Sequence, residues 1–148
     1  MVENTGGFYM NITPTVSVLE TVKMFSKNSD PFEIAKSEGI VIKKSKFPVS
    51  RLLVVDDLCT WIYLENIDDE ELRNFVMWHE LGHYFLHYKK GAAKNAPYWE
   101  QCFQEIEANE FAAIMTGTQR AKEKAMEMNN IAFFNIAKQV NKKKGETR

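Results

Sequence analysis

The chain has 148 residues, 45% hydrophobic and 26% charged, the balance of one folded domain that can bury its own core. Its 19 basic and 20 acidic side chains leave a net charge of −1, too near neutral for the electrostatic footprint of a nucleic-acid binder. The longest apolar run, Phe111–Met115, falls far short of the ~20 residues of a membrane helix, which argues against a membrane protein. Met1-Val2-Glu3-Asn4 has neither the basic nor the apolar stretch of a leader, and two cysteines, Cys59 and Cys102, suit a reducing cytoplasm.

In chain order, Thr15–Lys27 spaces Val16, Leu19, Val22 and Phe25 about one turn apart and predicts an amphipathic helix. Asp30-Pro31-Phe32-Glu33 is a helix start with an acid at the N-cap and Pro at the first position, and Gly39 supplies the stop. Ile40–Ile42, Arg51–Val55 and Thr60–Leu64 are aliphatic or β-branched runs, with a turn at Asp56-Asp57 between the last two. They predict a small, about three-stranded antiparallel sheet. From Asp69 to about Tyr88 the apolar positions follow spacings of three and four, the pattern of one long helix. Gly91–Asn95 reads as a loop, Pro97 opens a helix to about Thr116, and Gly117 closes it. Thr118–Lys144 is expected to be helical in two pieces broken near Asn129-Asn130. The segment beyond Gly117 carries eight basic against three acidic residues, which solvated lysines explain more simply than DNA binding. The fold class expected is α+β and mainly helical. Its domain should span 1–117, with 1–14 loosely attached, and 118–148 should form a basic helical segment packed on it or trailing it.

All three histidines lie in His79-Glu80-Leu81-Gly82-His83-Tyr84-Phe85-Leu86-His87. Histidines four apart on a helix differ by about 40° around the axis, so His79 and His83 can converge on one ion. Glu80 lies beside them, where a carboxylate can take a proton from water. Zinc suits imidazole and carboxylate donors and keeps one coordination position open. These positions also fall on the stripe that faces the core, where unpaired polar rings would be costly. Gly82 in mid-helix implies close approach by another segment.

A third ligand is required, and position 89 is Lys, which excludes the long three-histidine zinc motif. His79 and His87 would stand about 12 Å apart along an α-helix, too far to share an ion. The helix after Pro97 offers Glu100, Glu105, Glu107 and Glu110. Glu107 falls in the row Phe103, Glu107, Phe111, Met115, whereas Glu105 aligns with Gln101 and Asn109 on a polar face. Glu107 is therefore the expected third ligand. Candidates for holding the oxyanion are Tyr84, Tyr88, Tyr98 and His87.

His79–His87 together with Glu107-Ala108-Asn109-Glu110-Phe111-Ala112-Ala113 resembles the ImmA/IrrE family of zinc metallo-endopeptidases, over roughly residues 15–116. The resemblance implies a zincin-like domain of helices around a three-stranded sheet. It implies one zinc on His79, His83 and Glu107, with Glu80 as general base. It further implies an intracellular protein substrate, a helix-turn-helix repressor of a phage or mobile element. The competing expectation is a regulatory binding module that keeps zinc only for structure, against which Glu80 speaks.

Overall fold

The computed structural model describes residues 14–56, 59–91 and 96–146. Its elements run α1 (Val16–Val22), α2 (Pro31–Ser37), β1 (Val41–Lys44), β2 (Arg51–Asp56), β3 (Cys59–Leu64), α3 (Glu70–Gly82), a π-helical turn (His83–Tyr88), α4 (Tyr98–Thr116) and α5 (Gln119–Glu146). The architecture is mainly helical with one small sheet, the α+β class expected. Asp57 of the expected turn, Ala92–Asn95 of the expected loop and residues 1–13 lie outside the described residues.

Local chemistry explains most boundaries. The Thr15 hydroxyl accepts the Val18 N–H at the start of α1, Asp30 accepts the Phe32 N–H before α2, and Asp69 accepts the Leu72 N–H before α3. Gly39 (φ +75°) and Gly117 (φ +76°) take the left-handed conformation that ends α2 and α4. The first helix is shorter than its pattern predicts and rotated: it buries Val18 and Thr21 and leaves Val16 and Leu19 exposed. Thr21 tolerates burial because its hydroxyl donates to the Ser17 carbonyl.

The sheet order is β1-β3-β2, antiparallel between β2 and β3 but parallel between β1 and β3, so the sheet is mixed rather than antiparallel. Only two residues separate β2 from β3 in the chain, while β1 pairs on the far side of β3 and runs parallel to it. Ile62 on the central strand is fully buried. β2 is left as an edge.

Helix α3 is the spine. Phe75, Met77, Trp78 and Leu81 are buried on it; Phe25 and Phe111 each meet Trp78 edge-to-face with centroids 5.8 Å apart, and Phe25 in turn meets Phe85 at 5.0 Å. A Cβ at Gly82 would stand 3.1 Å from the Phe111 ring and 3.2 Å from the Ala108 Cα, so α3 and α4 meet there, as the mid-helix glycine implied. The expected single helix to Tyr88 changes type after Gly82, with the Lys89 N–H bonding to the Tyr84 carbonyl five residues back. Helix α5 is continuous across Asn129. That residue is buried, and its side-chain oxygen accepts from the Asn109 amide at 3.0 Å, so tertiary pairing removes the reason for a break. Among the described residues no helix is long and apolar enough to cross a membrane.

Candidate metal centre

Two side chains of the spine and one of α4 converge. His79 Nε2 lies 3.1 Å from Glu105 Oε1, and His83 Nε2 lies 2.8 Å from Glu105 Oε2. One donor atom from each of the three lies within 4.8 Å of the others. Ligands held about 2.0–2.1 Å from a tetrahedral zinc stand about 3.4 Å apart, so this spacing fits one ion. Two imidazoles and a carboxylate also leave one coordination position open, the arrangement of catalytic zinc.

Glu107 is not part of this cluster, and the expectation for it is corrected. Its carboxylate accepts from His87 Nε2 at 3.1 Å and from the Thr15 hydroxyl at 3.0 Å. Positions four apart on a helix drift about 40° per step, so the row from Phe103 to Met115 does not stay on one face. Phe103 is in fact 45% exposed, while Phe111 is fully buried. Glu105 precedes Ala108 by one turn, on the side of α4 that meets Gly82. The signal that finds Glu105 is therefore the pairing of mid-helix Gly82 with the small Ala108, rather than hydrophobic spacing.

Electrostatics within the cluster follow from burial and proximity. Burial opposes charge on Glu105, but hydrogen bonds from His79 and His83 hold its carboxyl well below the usual range. Burial lowers His83, and the Glu105 hydrogen bond only partly offsets this. For His79 burial also opposes charge, yet Glu105, the Glu80 carboxylate and Asn109 outweigh it and raise its pKa. Glu80 is 4% exposed, and burial pushes its carboxyl up to about 7, with the Leu52 backbone favouring the charged form. Two carboxylates around two imidazoles, all withdrawn from bulk water, make a site whose excess negative charge a dication would neutralise.

The cluster opens into a cleft of about 560 Å³ whose other wall is Ser50–Val54 of β2 and its approach, with Tyr88, Gln101 and Gln104 at the rim. Of the oxyanion candidates, Tyr88 and His87 line this cleft. Tyr84 donates instead to Glu38 at 3.1 Å, with its hydroxyl pushed up to about 12 by burial and that contact, and Tyr98 lines a separate pocket beside Cys102. A further cleft, about 620 Å³ and bounded by Glu71, Phe75, Arg120 and Lys124, contains none of these donors.

A mainly helical domain with a His/His/Glu cluster on a buried helix and its neighbour, open to a cleft edged by a strand, has the features of a metal-dependent peptidase. Residues 35–142 match the peptidase family described as the IrrE N-terminal-like domain, and the chain belongs to that family. No curated protein and no solved structure matches the chain significantly.

Proposed function

We propose that the protein is a zinc endopeptidase in which His79, His83 and Glu105 hold the metal and Glu80 is the general base. The observation that carries the reading is the convergence of both Nε2 atoms on the Glu105 carboxylate with Glu80 buried beside them. Zinc in such a set polarises a peptide carbonyl and acidifies a water. Glu80 would take a proton from the attacking water on its carboxylate and return it to the leaving amine. A site kept only for structure has no use for a buried acid there. Tyr88, at the rim, is the donor we assign to the developing oxyanion.

Edge strand β2 orients the substrate. An extended peptide laid along Arg51–Val54 would pair with the outer edge of that strand, where the Leu52 backbone already meets Glu80, and bring its scissile bond over the cluster. The occupant is therefore an extended segment of a protein. We infer a cytoplasmic helix-turn-helix repressor of a phage or mobile element as the partner, on the strength of the ImmA/IrrE resemblance. The basic segment from residue 118 buttresses α4 within the same unit, through buried Ala121, Ala125, Asn129 and Ala132.

Co-expression with such a repressor, followed by mass spectrometry of the products, tests this reading. Cleavage is expected with the natural sequence and is lost in Glu80→Gln. An intact repressor that co-purifies with both forms would instead establish a binding module.

A further inference from the structure

Behind His83 runs a line of hydrogen bonds that the proposed reaction does not use. His83 Nδ1 lies 3.1 Å from His87 Nδ1, His87 Nε2 lies 3.1 Å from Glu107 Oε1, and the Thr15 hydroxyl donates to Glu107 Oε2 at 3.0 Å. Its polarity follows from the atoms. A carboxylate only accepts, so His87 Nε2–H and the Thr15 O–H both donate to Glu107. A neutral His87 then presents Nδ1 as an acceptor, and His83 must supply the proton on its own Nδ1. That tautomer leaves the lone pair of His83 on Nε2, so a bound metal would take the place of the Nε2–H that otherwise donates to Glu105.

We propose that His87 and Glu107 are positioning residues that fix the tautomer and ring orientation of His83 for the metal, with Thr15 anchoring the line to α1. This rests on the reading of His79, His83 and Glu105 as the metal-holding set. Metal-bound imidazoles depend on the partner of their second nitrogen, and loss of that partner typically weakens metal binding 10–100-fold. The π-helical turn is what makes the line possible. It sets the His87 ring against that of His83, with centroids 5.2 Å apart, and directs its far nitrogen to Glu107. Thr15 is fixed in turn because its oxygen caps α1 by accepting the Val18 N–H. The line thus ties three separate segments, α1, the π turn and α4, to one ring.

The test is zinc affinity by competition with a chromophoric chelator, together with the visible spectrum of the cobalt-substituted protein. His87→Leu and Glu107→Ala are expected to bind zinc about 10–100-fold more weakly while keeping the natural cobalt spectrum, because the ligands are unchanged. His87→Asn, whose amide oxygen can take the place of Nδ1, should recover most of the affinity. Unchanged affinity in His87→Leu and Glu107→Ala would overturn the proposal. Equal loss in His87→Leu and His87→Asn would overturn it too, marking a packing defect. An altered cobalt spectrum in either would make that residue a ligand, also against the proposal. Failure of the natural protein itself to bind zinc would sink the underlying reading, which distinguishes the two.

Discussion

At the scale of the residue, the proposed roles of Glu105 and Glu80 separate holding a metal from using it. Glu105→Ala removes the one carboxylate facing both His79 and His83, so zinc content after dialysis should fall from about one per chain to a small fraction. Glu80→Gln keeps the shape and all three donors, so its zinc content should match the natural protein while cleavage drops at least 100-fold. Metal analysis and a cleavage assay on the same preparations check both. Glu110 shows a different use of burial. One of its carboxylate oxygens is buried without a partner, and burial reinforced by the Glu107 charge pushes its pKa up to about 7 from 4.5. The unfolded chain loses this proton near the ordinary value and the folded chain holds it to about 7. Stability from this group is thus complete at low pH and is lost as pH rises between the two. Glu110→Gln should leave the thermal midpoint nearly unchanged at pH 4.5 and raise it at pH 8. A pH-independent difference would contradict this.

At the scale of the element, the contact between α3 and α4 places the ligands. The Gly82 site has no room for a larger side chain, since its neighbours are the backbone of Ala108 and a fully buried phenyl ring. Gly82→Leu should cost roughly 1–3 kcal/mol in chemical denaturation through overpacking. By moving α4 away it should also weaken zinc binding, although residue 82 is not itself a ligand. Helix α5 also supports α4, through the buried Asn109–Asn129 pair. Asn129→Leu strands the Asn109 amide and should destabilise the fold by about 1–3 kcal/mol, measured by the same denaturation.

For the whole molecule, the proposed metal site predicts a coupling of metal binding to folding. The cluster draws on the buried spine α3, its π-helical extension and α4, so the proposed zinc would bind the native arrangement and not the unfolded chain. At a free zinc concentration 1,000 times the dissociation constant this linkage is worth about 4 kcal/mol, a shift of roughly 10 °C in thermal midpoint for a domain of this size. Calorimetry with and without a strong chelator checks this, and an unchanged midpoint would point to a shallow site away from the core.

What was legible in the sequence was local. Asp69, Asp30, Gly39 and Gly117 mark helix ends because caps and left-handed stops act within a few residues. His79, Glu80 and His83 were legible as a group because a helix brings neighbours four apart together by its own geometry. The rest needed the assembled molecule. The choice of Glu105 over Glu107 depends on how α4 is rotated against α3, which the Gly82–Ala108 contact sets and hydrophobic spacing along α4 alone does not report. The parallel pairing of β1 with β3 depends on which strand occupies the centre of the sheet, and the three runs look alike in isolation. The continuity of α5 at Asn129 depends on a partner twenty residues away, a buried amide that replaces the local competition by which Asn usually interrupts a helix.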